Sequence, residues 1–180
     1  MIKRKTYVVG FTALLAISIC GCQSGSQGML SKKADALVVL NPTQGNNVQG
    51  TIYFTKVRDG VRVQGEITGL KPGLHGFHIH EKGDCSSPDA MSAGPHYDPT
   101  HQMPHGAPTA MQRHMGDFGN IEANAAGVAK ISMVDRTITL DGPDTIAGHA
   151  VIVHADPDDL KSQPAGKAGA RIACGVIGRK

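Results

Sequence analysis

Several things are scarce in this chain of 180 residues, and each scarcity narrows its class. Sustained helix-forming runs are missing, while 23 Gly and 10 Pro punctuate the sequence, which argues against a helical bundle. The extended apolar run at the front, Tyr7 to Ile19, has 13 residues and is too short to span a bilayer comfortably. Net charge is also nearly absent. The formal +3 sits at the N-terminus in Lys3, Arg4 and Lys5, and without residues 1–21 the chain has 15 basic and 15 acidic residues. A neutral remainder gives no charge argument for nucleic acid. Disorder is excluded by the 40% hydrophobic content, and the length fits one ordinary domain.

A positive n-region, a short apolar run and then Ile19-Cys20-Gly21-Cys22 read as a leader. A small residue before Cys22, with an aliphatic residue three places before that cysteine, resembles the bacterial lipobox. Cys22 would then be acylated and become the first mature residue. An ordinary signal peptide cut a few residues later, or an uncleaved anchor, is the competing reading. Residues 22–34 are Ser/Gly/Gln-rich and read as a flexible tether. About ten such residues reach about 16–19 Å. The expectation is an exported protein on the periplasmic side of a bacterial membrane, touching it only through the lipid. Cleavage without lipidation would leave it soluble in the periplasm. An exported location makes a disulfide between Cys85 and Cys174 the natural pairing.

From residue 35 to 180 the pattern is short strands: Ala36–Leu40, Val48–Val57, Val61–Thr68, Leu74–His80, Phe118–Ala123, Val128–Met133, His149–His154 and Arg171–Ile177. Val61 to Thr68 alternates strictly, and Asp59-Gly60 ahead of it signals a hairpin. These features predict an all-β sandwich or barrel. One helical turn is expected at Asp156-Pro157-Asp158-Asp159, with Asp as N-cap and Pro at the first helical position. Glu81 to Gly116 is a stretch of 36 residues with little periodicity, a length that calls for an organiser other than backbone pairing. It contains four of the nine histidines, several Asp and Cys85.

His78 and His80 are two apart on one strand, so their imidazoles share a face, while Phe77 and Ile79 take the other. Neutral imidazoles suit copper, zinc or nickel. His154 ends a second strand and can converge with them. In the long loop, His96, His105, His114 and Asp117 offer three nitrogens and a carboxylate, the donor set of a closed zinc site. Binding an ion there would offset the entropy of ordering the loop.

The segments Gly73-Leu74-His75-Gly76-Phe77-His78-Ile79-His80, Ser92-Ala93-Gly94-Pro95-His96, Arg113-His114-Met115-Gly116-Asp117 and Gly169-Ala170-Arg171-Ile172-Ala173-Cys174-Gly175-Val176-Ile177 resemble copper/zinc superoxide dismutases, in order, over about residues 35–180. The resemblance implies an eight-stranded Greek-key barrel with long metal-binding and active-site loops. It implies one copper per subunit, on His78, His80, His96 and His154. It implies one zinc per subunit, on His96, His105, His114 and Asp117, with His96 bridging the two. Asp158 matches a carboxylate that links a copper histidine to a zinc histidine, Arg171 the cation that positions superoxide, and Cys85 with Cys174 the intrasubunit disulfide. His96 and Arg171 would carry the dismutation of superoxide to O2 and H2O2.

The remaining histidines fall outside these sets. His75 has the strand parity of Phe77 and reads as structural. His101 competes with His105 for zinc, but the Gly106-x-Pro108 context favours His105. His149 reads as surface or structural. Met91, Met103, Met111 and Met115, with His101, could collect Cu(I) through soft thioethers, or simply fill gaps. The position of Cys85 resembles that in bacterial members. The segment between Asp159 and Arg171 lacks the acidic pair and following Lys of eukaryotic members, leaving Lys161 and Lys167 as candidate steering cations. Bacterial and eukaryotic homodimers use different surfaces, so a homodimer is left open. The competing functions are a non-catalytic member of the fold and a membrane-tethered copper-buffering module.

Overall fold

The strict alternation of Val61 to Thr68 places Val61, Val63 and Ile67 in the core and leaves Arg62 and Gln64 in solvent. In the computed structural model, which describes residues 33–180, this stretch is β3 (Gly60–Thr68). The leader, Cys22 and nearly all of the tether lie outside the described residues.

The other strands are β1 (Ala36–Pro42), β2 (Gln49–Val57), β4 (Gly73–His80), β5 (Asp117–Ala123), β6 (Ala129–Asp135), β7 (Ala150–His154), β8 (Arg171–Val176) and the two-residue β9 (Gly178–Arg179). Every pairing is antiparallel. The order β2-β3-β6-β5-β4-β7-β8-β1 closes on itself through β1–β2, an eight-stranded barrel with β9 appended to β1. β3 lies beside β6 and β4 beside β7, so the β3–β4 and β6–β7 connections each cross between non-adjacent strands, which gives the Greek-key character. Closure gives each of the eight strands a neighbour on both sides, although β5 and β6 meet only at the pair Ala123–Ala129. Phe54, Phe77, Leu40, Ile52, Ile67 and Ile79 are among the largest fully buried side chains.

Two local expectations shift. The β2–β3 turn falls on Arg58-Asp59, one residue earlier than expected. Val57 pairs with Gly60, which opens β3 at φ +138° and whose missing Cβ lets it pass against the Asp135 carbonyl. The turn at Asp156–Asp159 is not helical. The Asp156 backbone is taken up laterally: its N–H donates to the Ala168 carbonyl (2.9 Å) and its carbonyl accepts from Gly76 N–H (3.0 Å). The Asp158 carboxylate turns inward to two histidines, and its Oδ1 also accepts the Leu160 N–H (2.7 Å).

The 36-residue loop between β4 and β5 contains one turn of 3-10 helix, Met91–Ala93. Backbone pairing contributes more to it than the sequence suggests. His80 and His96 form an antiparallel bridge, Tyr97 N–H donates to Ile79 O (2.8 Å), and Gly116 N–H donates to Tyr97 O (2.9 Å). The Cys85–Cys174 disulfide, with Cα atoms 5.8 Å apart, staples the loop to β8. At the loop's far end the buried Arg113 donates to the carbonyls of His114 and Asp117 (3.0 and 3.2 Å) and to Asp135 on β6 (2.7 Å).

Candidate metal centre

β4 and β7 lie side by side, with His78 opposite Ile152 and His80 opposite Ala150, so His78, His80 and His154 reach the same place from rigid backbone. Close approach beneath them needs Gly76. A Cβ there would lie 2.7 Å from Ala168 Cβ and 3.3 Å from His154 Cβ, so any side chain would push the neighbouring segment away. His96 arrives from the loop through its bridge to His80. One ligand atom from each of His78, His80, His96 and His154 falls within 4.8 Å of the others, and the same holds for His96, His105, His114 and Asp117. All of these residues are buried except His114, which is half-buried. His96 belongs to both sets, as the sequence reading expects.

Hydrogen bonds fix which nitrogen each ring presents. His80 Nδ1–H donates to Gly94 O (2.8 Å) and His154 Nδ1–H to Gly169 O (3.2 Å), leaving their Nε2 atoms 3.4 Å apart. His78 Nε2–H donates to Asp158 Oδ2 (2.9 Å). Two buried nitrogens then have no hydrogen-bond partner, His78 Nδ1 and His96 Nε2. Such orphans cost free energy unless something accepts their lone pairs. Both belong to the four-histidine set, so the donors present fit a metal ion of the imidazole-loving kind.

The second set is built around one carboxylate oxygen. Asp117 Oδ1 lies 2.7, 3.0 and 3.2 Å from Nδ1 of His96, His105 and His114, and Oδ2 accepts the backbone N–H of Gly106 and His114 (3.0 Å each). Asp158 joins the sets: its Oδ2 takes His78 and its Oδ1 takes His105 Nε2, each at 2.9 Å.

The electrostatics of the two sets diverge. Burial lowers the pKa of His78 and His80, and takes His96 to about 4 and His154 to about 3. Burial acts the same way on His105, but hydrogen bonds to Asp117 and Asp158 outweigh it and raise this ring to about 9. Burial would raise the Asp117 and Asp158 carboxyls, yet histidine hydrogen bonds hold both below the usual carboxylate range.

A cleft of about 780 Å³ opens onto the first set, lined by His80, His96, His154, Arg171, Lys167 and Met91 among others. Arg171, on β8, is held by Nη1 to Ala90 O and Nη2 to Gly94 O, both 2.7 Å. Burial lowers its pKa, opposed by Asp89. The residues set aside stay outside both sets. His75 has its ring nitrogens 2.9 Å from His154 O and 2.8 Å from Lys71 O. His149 Nδ1–H donates to Glu81 O (2.6 Å). His101 is exposed, in left-handed conformation at φ 54°. Met111 is fully exposed, Met103 partly so, and Met115 packs against the core.

Sequence reasoning missed the side chains that hold this frame from behind. Asn120 grips the Asp158 backbone, Gln163 grips that of His105, and Arg113 locks the end of the loop. A polar residue near a ligand is too common a signal to mark them. Gly166 is another: at φ +64°, any Cβ there would overlap Asp158 Oδ1.

The crystal structure of the clock protein EA4 is similar to this chain at 44% identity, TM-score 0.74, covering 82% of this chain and 96% of that one. The family model described as copper/zinc superoxide dismutase matches residues 48–177, which span β2 to β8 and both histidine sets, and the chain belongs to that family.

Proposed function

We propose that the protein is an exported superoxide dismutase, tethered to the periplasmic face of a bacterial membrane through Cys22. One observation carries the enzymatic reading: His96 places one ring nitrogen in each donor set, beside a cleft that contains Arg171. His78, His80, His96 and His154 would hold copper, and His96, His105, His114 and Asp117 would hold zinc. Copper supplies one-electron redox chemistry there, and zinc supplies fixed charge without redox.

The chain's own residues do the rest. Arg171 offers a fixed cation to a small anion. Its two carbonyl partners keep the guanidinium in place, so no reorganisation is needed when superoxide arrives. His96 is the proton carrier at Nε2. With Nδ1 engaged on the Asp117 side, Nε2 can take a proton and pass it to the substrate that leaves as H2O2, the second proton coming from water. His80 and His154 hold their Nε2 atoms toward the cleft through the Gly94 and Gly169 carbonyls. Asp158 keeps His78 and His105 in register. The leader and tether support export; intact mass of the mature N-terminus reads lipidation directly.

The deciding experiment is superoxide consumption by the metal-reconstituted protein with copper and zinc content measured on the same sample. Rapid dismutation supports the reading. Full occupancy of both metals without activity would replace it with copper buffering.

A further inference from the structure

Besides the shared His96, the two donor sets are joined through Asp158, whose Oδ2 takes His78 and whose Oδ1 takes His105 Nε2 at 2.9 Å, and a side-chain amide grips the backbone on each side of the Asp158–His105 contact. Asn120, on β5, donates Nδ2–H to Asp158 O (2.9 Å) and accepts Asp158 N–H at Oδ1 (2.7 Å). Gln163 donates Nε2–H to His105 O (2.9 Å) and accepts His105 N–H at Oε1 (2.8 Å). Each amide therefore occupies both backbone groups of its partner, as a neighbouring strand would.

The two grips differ in what they join. Asn120 ties Asp158 to the strand that begins at Asp117. Gln163 ties His105, on the long β4–β5 loop, to the separate β7–β8 segment, and Gln163 and Pro164 both line the cleft. That segment is closed on itself: Asp159 N–H donates to Gly166 O (2.8 Å) and Gly166 N–H to Ser162 O (2.7 Å). Gly166 is seated directly against Asp158 and His105. A shift of His105 would thus be passed by Gln163 to a compact turn that forms one wall of the cleft.

We propose that Gln163 is a positioning residue: its amide fixes the His105 backbone, so that the second donor set and the Gln163–Pro164 wall of the cleft are held as one body. This rests on the reading above that the second set holds zinc. Gln163 is itself exposed, so removing its amide opens no hole in the core.

The test uses the full chain and two variants. Gln163→Met removes both bonds at similar length, and Gln163→Glu keeps the acceptor for His105 N–H while losing the donor. Zinc affinity is read by competition with a chromophoric chelator, and exchange of the backbone amides of residues 159–167 is read with and without zinc. Loss of such an outer partner lowers metal affinity by about tenfold or more, expected here for Gln163→Met with Gln163→Glu in between. Zinc should slow exchange across 159–167 in the wild type and not in Gln163→Met, while the metal-free unfolding midpoints coincide. Wild-type zinc affinity together with intact zinc-dependent protection in Gln163→Met would overturn the proposal. A wild-type chain that takes up no zinc would overturn the reading beneath it, and the proposal with it.

Discussion

The two donor sets solve the same problem by different means. His78, His80 and His154 stand on β4 and β7, where a ladder of backbone hydrogen bonds fixes their spacing whatever is bound. They are kept neutral by burial. His105, His114 and Asp117 lie in or at the end of a long loop and are held by charge: one Asp117 oxygen gathers three imidazole nitrogens, and His105 is pushed toward its cationic form. A geometry made by strands is available before a metal arrives. A geometry made by charge needs a cation, and protons on the histidines or a metal ion can each fill that role.

The largest effect that can break this contrast is His154→Ala. It should reduce dismutation to background while zinc content stays at the wild-type level, measured by superoxide consumption and elemental analysis. Retained activity in the copper-loaded variant would remove His154 from the first set. Next comes the staple. Replacing Cys85 and Cys174 together by Ser should lower stability by about 4–5 kcal/mol in the chain-entropy picture, read by denaturant unfolding. The loop should then become the first site of proteolysis and the barrel the last. A smaller change would show that the loop is already constrained in the unfolded chain.

Asp117→Asn tests the charge directly. Breaking a buried ion pair costs about 3 kcal/mol. The metal-free protein should lose that much, with altered ring signals for His105 and His114 and unaltered ones for His154 in NMR. Equal disturbance in both sets would dissolve the distinction.

The gentlest probe is pH on the metal-free protein. His96 and His154 have folded values below the ordinary 6.5, so the stability gained by keeping them neutral is present above 6.5 and lost as pH falls toward about 4 and about 3. His105 has a folded value above 6.5, so its contribution is present below 6.5 and lost as pH rises through about 9. Unfolding midpoints should therefore peak near pH 6.5, and His105→Gln should flatten the alkaline limb alone. A profile in which that variant changes the acid limb instead would reverse the assignment.

The same contrast governs how much could be read from the sequence. The strand-borne set was legible because strands have a period of two: His78 and His80 must share a face, and the alternation in Val61–Thr68 must bury one side. All eight main strands fall where their patterns place them. The loop offers no such period. There the family resemblance, with its Gly106-x-Pro108 context, was what separated His105 from His101, and the structure brings His105 to Asp117 and leaves His101 exposed. Asp156–Asp159 failed as a helical turn because its capping signal is local. The competing uses of those groups, Ala168 for the Asp156 backbone and His78 and His105 for the Asp158 carboxylate, come from residues 12 to 80 positions away. Asn120, Gln163 and Arg113 act on backbone atoms, which every residue has, so no pattern of side chains announces them.

One carbonyl oxygen carries a consequence for tolerance to error. Gly94 O accepts from both His80 Nδ1 (2.8 Å) and Arg171 Nη2 (2.7 Å). The ring proposed to hold the reactive metal and the cation proposed to hold the substrate are thus measured from a common origin on the loop. Drift of that loop is a common-mode displacement: it carries ligand and guide in the same direction and leaves the gap between them nearly constant. A shared carbonyl can in this way preserve a short working distance that two independent anchors would have to maintain separately.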